Sequence, residues 1–143
     1  MILIDANILL YAHSSSSRHH AAARRWLEEV LSTPEPVGLA WDTILAFIRI
    51  STSTQVYSHP LTTEEAVGIV TDWLDRPMVR IVAPDVRHWD VLRGLLEAGQ
   101  VRAALVMDAH LAALAIEHGA TLCSTDRDFT RFPGLRWTNP LAA

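Results

Sequence analysis

MILIDANILLY, residues 1–11, begins with an unbroken apolar run, Ile2, Leu3 and Ile4, and then turns at once to a carboxylate, Asp5. A short continuous apolar run reads as a strand buried on both faces, the habit of parallel sheets. In open α/β sheets, ligands sit outside the carboxyl ends of the strands. Asp5 therefore stands where chemistry is usually done. The apolar residues that follow predict a short helix over 6–13, with Asp5 or Asn7 offering its first amides a cap.

Outward from this stretch, helices and strands alternate. Arg18, His19 and His20 follow a serine run and lead into a helix whose inner stripe is expected at Ala22, Trp26, Leu27, Val30 and Leu31. Its charged face allows i,i+4 pairing of Arg24 or Arg25 with Glu28 or Glu29. His19 and His20 are adjacent, do not share a helix face, and read as solvated residues. Pro34 and Pro36 break the helix. Val37 to Ala40 reads as a second strand. A helix over 41–53 follows, with Ile44, Leu45, Phe47 and Ile48 inward. Asp42 falls in its first turn, where the helix dipole favours a carboxylate.

Thr62 and Glu65 have the spacing of a capping box. The helix they open is expected to bury Ala66, Val67, Val70 and Leu74. Val79 to Val82 is a third strand. A helix from Pro84 to Leu96 would bury Val86, Trp89, Leu92 and Leu96. Residues 103–118 are strongly helical, with a possible break at Met107 and Asp108, and Gly119 ends them. Residues 121–124 form a fourth strand, and Leu135 to Trp137 a short last edge strand. This alternation implies a three-layer α/β/α fold around a parallel sheet of four to five strands, with residues 1–143 as one domain.

The bulk numbers exclude several classes. Half of the 143 residues are apolar, enough for a full core. No run of about 18 apolar residues predicts a membrane span, and no basic region precedes the first apolar run, so no secretory signal is expected. The single cysteine, Cys123, excludes an internal disulfide and fits a reducing cytoplasm. The net charge of −4 argues against a generic basic nucleic-acid coat. All twelve cationic residues are Arg, so any mechanism that needs a catalytic Lys is ruled out. That removes a phosphoacceptor receiver domain and a phosphatase of the haloacid dehalogenase type.

The carboxylates carry the chemistry. Asp5 follows the first strand; Asp126 and Asp128 follow the fourth. Asp108 begins the helix that leads into the fourth strand, so it starts at the same sheet edge. Any one of these is more often a turn former or cap than a ligand; their joint placement is what matters. Crowded like charges raise one another's pKa and call for a cation. Oxygen ligands without Cys or a convincing His suit Mg²⁺ or Mn²⁺. Such a site supports metal-assisted phosphodiester hydrolysis.

At these residues the chain resembles the PIN domain family, and within it the VapC-type toxins of toxin–antitoxin pairs. The matching segments are LIDANILLYA (3–12), LAFIR (45–49), DAHLAALAIEHGATL (108–122) and STDRDFTRFPGLRW (124–137). The resemblance implies a Mg²⁺-dependent endoribonuclease acting on RNA, a homodimer, and inhibition by a small cognate VapB-type antitoxin. It implies Asp5, Asp108 and Asp126 as the catalytic metal ligands and Asp128 as a supporting acid. It also implies Asn7 as a hydrogen-bonding residue and Thr125 as the hydroxyl beside the metal.

One position departs from the pattern: where the family usually carries Glu, three residues before Arg49, this chain has Ala46. Asp42, one helical turn earlier on the same face, is the available substitute. The loss keeps a second reading open, a PIN-like protein with a weakened site that acts as a binding or regulatory partner. Phosphate contacts are expected from Arg18 and Arg49, with Arg24 and Arg25 equally explained by their Glu partners.

Overall fold

A computed structural model describes residues 1–142. In chain order its elements are β1 (Ile2–Ile4), α1 (Ala6–His13), α2 (His20–Val30), β2 (Val37–Ala40), α3 (Trp41–Ser51), α4 (Thr63–Leu74), β3 (Val79–Val82), α5 (His88–Ala98), α6 (Leu105–Glu117), β4 (Thr121–Cys123), a 3-10 helix (Arg127–Arg131) and β5 (Trp137–Thr138). The five strands form one parallel sheet in the order β3-β2-β1-β4-β5. The MILI strand is central, with Leu3 opposite Gly38 on one side and Leu122 on the other.

Strand alternation splits the core into two layers. Ile4, Val37, Leu39 and Cys123 pack under α1 to α4 with Ile8, Leu9, Leu27, Ile44, Phe47 and Trp73. Leu3, Ala40, Val82 and Leu122 pack under α5 and α6 with Leu95, Leu111, Leu114 and Phe129. No helix among the described residues is long and apolar enough to cross a membrane. Cys123 is buried, and burial pushes its thiol up to about 11, which leaves it unreactive.

Several inward faces differ from those the periodicity predicts. On α2 the buried residues are Ala23 and Leu27, followed by Leu31, whereas Ala22 is exposed. A 3.6-residue period leaves the stripe free to rotate by one position when Ala residues fill both candidates. Leu45 is 61% exposed and Val67 47%, and Trp73 rather than Leu74 is the fully buried residue at the end of α4. Helix α5 starts at His88, since residues 84–87 are held in a turn by the Asp85 carboxylate accepting the Arg87 amide at 2.8 Å. Val86 therefore sits on the turn at 102% exposure, and Trp89 on the outer face at 63%.

Helix α3 ends at Ser51, two residues early, because the Thr52 hydroxyl donates to the Ile48 carbonyl at 2.7 Å. Helix α6 runs unbroken through Met107 and places Asp108 in its first turn. The last strand is Trp137–Thr138, not 135–137. Other expectations hold. Thr62 and Glu65 form the capping box. Arg24 pairs with Glu28 at 3.1 Å, and Gly119 takes a left-handed φ of 63° after α6.

Candidate active site

The sheet order makes β1 and β4 neighbours, so the residues that leave their carboxyl ends meet. Asp5 leaves β1 as the cap of α1. One carboxylate oxygen accepts the Ala6 amide at 2.7 Å, and the other accepts the Ser124 hydroxyl at 2.7 Å. Ser124 follows β4 and is fully buried. Its oxygen also accepts from the Asn7 side-chain amide at 3.1 Å and the Asp126 backbone amide at 3.0 Å. One donor and two lone pairs are thus all used. A single hydroxyl ties β1, α1 and the turn after β4 together.

Asp126 caps the 3-10 helix by accepting the Asp128 amide at 2.9 Å. The cap turns the chain so that Asp126 and Asp128 face Asp108 at the start of α6. Ligand oxygens of Asp108, Asp126 and Asp128 all lie within 4.8 Å of one another. Asp5 stands beside this cluster: its charge is felt by Asp108, and it feels Asp126 and Asp42. Burial, then the charges of Asp126, Asp5 and Asp128, push the Asp108 carboxyl up to about 6, against the pull of Arg131. Burial likewise raises Asp5, despite the opposing hydrogen bonds from Ser124 and Ala6. Carboxylates that crowd this closely are stable in the ionised form only beside a cation.

A groove of about 550 Å³ opens between α3 and α6, lined by Asp5, Asp42, Ala46, Arg49, Met107 and Asp108 among others. Arg49 therefore reaches the same groove as two of the carboxylates. Arg18 does not line it and contacts its neighbour His19 in the serine-rich loop. His20 bonds the Tyr11 carbonyl at 2.9 Å, a structural contact.

Asp42 makes no helix cap; its carboxylate faces His110 at 3.7 Å and raises the pKa of that ring against the effect of burial. Thr125 is half-buried, and the hydroxyl that bonds the carboxylate is that of Ser124, one residue earlier. Its signal in the sequence was position: it is the last residue before the turn at the end of an apolar strand. The Asn7 side-chain oxygen is buried with no hydrogen-bond partner among the described residues.

Comparison with known proteins agrees with this geometry. The family model for the PIN domain matches residues 2–135. Ribonuclease VapC37 of Mycobacterium tuberculosis is 47% identical over 142 residues, covering 99% of each chain. Ribonuclease VapC33 of the same species is 38% identical over 141 residues, again covering 99% of each. Among solved structures, VapBC2 from Rickettsia felis, bound to a DNA fragment of its promoter, superposes with a TM-score of 0.69. Its identity is 21%, over 97% of this chain and 98% of that one. VapBC-1 from nontypeable Haemophilus influenzae gives 0.69 at 17% identity, over 99% and 100%.

Proposed function

The chain belongs to the PIN domain family, and from that premise we propose that it is a VapC-type endoribonuclease, the toxin of a toxin–antitoxin pair. The observation that carries the reading is the convergence of Asp108, Asp126 and Asp128, with Asp5 beside them, at one sheet edge. The substrate is RNA, and the reaction is hydrolysis of a phosphodiester bond. Relatives named ribonucleases, nearly half identical over almost the whole chain, support it. PIN-domain ribonucleases depend on a metal. Mg²⁺, or Mn²⁺ in its place, is the metal proposed here, because the donors are all carboxylate oxygens and hard cations take oxygen ligands.

Asp108, Asp126 and Asp128 would hold the ion, with Asp5 completing the charge balance from β1. The ion, when bound, supplies an activated nucleophile at neutral pH and charge stabilisation at the phosphoryl oxygens. The remaining work falls to the protein. Ser124 and Ala6 fix both oxygens of Asp5, so it does not turn away from the cluster. Asn7 holds Ser124 in register. Arg49, in the groove wall, binds a phosphate of the RNA backbone. Arg18 lies outside that wall and is left to a more distant phosphate. Thr125 and Asp42 flank the site in supporting roles.

We assign the protein to the cytoplasm as a homodimer, in one domain spanning the whole chain. The partner is a VapB-type antitoxin, as the toxin–antitoxin complexes among its structural neighbours suggest.

The test is cleavage of a mixed RNA substrate by the pure protein with Mg²⁺, Mn²⁺ or a chelator. Activity is expected with either ion, lost with the chelator, and lost in Asp108→Asn. Cleavage in the presence of chelator, or undiminished in Asp108→Asn, would reject the metal mechanism. RNA binding without cleavage under every condition would favour the second reading, a binding partner with a weakened site, which the Ala46 position motivates. Arg49→Ala is expected to weaken RNA binding and to flatten its dependence on salt, since each phosphate contact releases counterions.

A further inference from the structure

Behind the α3 wall of the groove lie two histidines and a buried glutamate that the carboxylate cluster does not use. Glu117 ends α6 with its side chain fully buried. One of its oxygens accepts the Asp85 amide at 3.0 Å. The other is in short contact with Nδ1 of His88, the first residue of α5. Nε2 of His88 meets Nδ1 of His110 at 2.9 Å, with the two rings nearly perpendicular at 83°. Nε2 of His110 then faces the Asp42 carboxylate at 3.7 Å. Asp42 lines the groove together with Asp5 and Asp108.

The spacing on α6 explains the bridge. His110 and Glu117 are seven residues apart, on one face and two turns away, about 10.5 Å along the axis. They do not reach each other, and the His88 ring from α5 spans the gap. The proton directions follow from the partners. An ionised Glu117 only accepts, so His88 donates from Nδ1 and accepts at Nε2. His110 must then donate from Nδ1, and its Nε2–H faces Asp42. A buried carboxylate with two fixed donors is costly to release. The chain is thus anchored at Glu117 and free to act only at its groove end.

We propose that Glu117, His88 and His110 are positioning residues that hold the Asp42 carboxylate against the groove, where it supplies the oxygen ligand that Ala46 lacks. This rests on the metal-dependent nuclease reading. Asp42 stands within electrostatic reach of Asp5, which repels it. Without a positive partner, a carboxylate in the first turn of α3 would swing toward solvent. His110 supplies that partner, and the ring behind it sets its direction. The role falls to a residue one turn before Ala46, and the price is a dedicated support from two other helices.

The experiment is a Mn²⁺ titration of the metal-free full-length protein, reading free Mn²⁺ by electron paramagnetic resonance. His88→Phe keeps the ring and removes both hydrogen bonds. It is expected to weaken Mn²⁺ binding by roughly tenfold, the order seen when supports of metal ligands are removed. Asp42→Asn is expected to weaken it at least as much, and His88→Phe to add nothing in the Asp42→Asn background. An equal loss from His88→Phe in both backgrounds would overturn the proposal. So would a lower melting temperature with Mn²⁺ affinity unchanged, which marks a strut between helices. If His88→Phe does not fold, Glu117→Gln is read in the same cycle. Asp108→Asn separates the two levels. Binding lost there but intact in His88→Phe rejects the positioning chain alone; binding unaffected by Asp108→Asn rejects the metal site itself.

Discussion

Ser124 shows how much one side chain decides. Its hydroxyl is the only group that touches Asp5, Asn7 and the Asp126 amide together. Removing it leaves a buried amide and a carboxylate oxygen without their partner. The cost of such unsatisfied groups is about 1–3 kcal/mol. Ser124→Ala is therefore expected to lower stability by that amount in denaturant unfolding. It is also expected to reduce RNA cleavage, because Asp5 loses one of its two fixed contacts. Ser124→Thr, if the extra methyl fits beside Asn7, keeps the hydroxyl and should retain more activity than Ala. Wild-type cleavage rates in Ser124→Ala would show that Ala6 alone holds Asp5 in place.

At the scale of the element, α6 carries the largest share of the site. Its first turn holds Asp108, its middle holds His110, and its end holds Glu117. The helix must end sharply to feed β4, and it does so at Gly119, whose φ of 63° is open to glycine and strained for other residues. Nothing stands within 4 Å of where a Cβ on Gly119 would lie, so the penalty of a side chain there is conformational, not steric. Gly119→Ala is expected to destabilise the protein by about 1 kcal/mol, read as a lower melting temperature, with cleavage per folded molecule unchanged. A neutral effect on melting would mean that the turn relaxes to a right-handed conformation. Gly38 presents the opposite case. A Cβ there would lie 2.6 Å from a Val82 methyl across the β2–β3 pair, so the close approach of strands depends on its absence.

For the whole molecule, the crowding of acids at one edge makes stability depend on pH and metal. The folded Asp108 carboxyl titrates at about 6, above the ordinary value near 3.9 of an unfolded chain. Between those values the folded state binds more protons than the unfolded one. Stability is then greatest below the unfolded pKa and falls as pH rises through the folded one. The metal-free protein is accordingly expected to melt at a lower temperature at pH 7 than at pH 5. Saturating Mg²⁺ or Mn²⁺ should raise the melting temperature more at pH 7 than at pH 5, since the ion competes with protons for the same oxygens. Asp108→Asn should lessen the pH dependence between those values. A metal-free protein that gains stability from pH 5 to pH 7 would contradict the repulsion assigned to the cluster.

The sequence by itself determined the layers and the identity of the acids. MILID reads as a buried strand ending in a carboxylate because an unbroken apolar run has one economical home, the centre of a parallel sheet. The alternation of strands and helices then places Asp5, Asp108, Asp126 and Asp128 at one edge, whatever the side-chain detail. Only the tertiary structure decided which hydroxyl, histidine and helix face serve the site. Ser124 and Thr125 are adjacent and chemically alike, and the strand's pleat sends Ser124 to Asp5. His88 and His110 come from different helices, and the packing of α5 on α6 alone makes them partners. Leu45 and Trp89 count as apolar in any periodicity, yet they face outward, because the rotation of a helix about its axis is set by what it packs against. Residue type and short-range order are local properties; contacts between distant residues are set by the balance of packing across the whole fold.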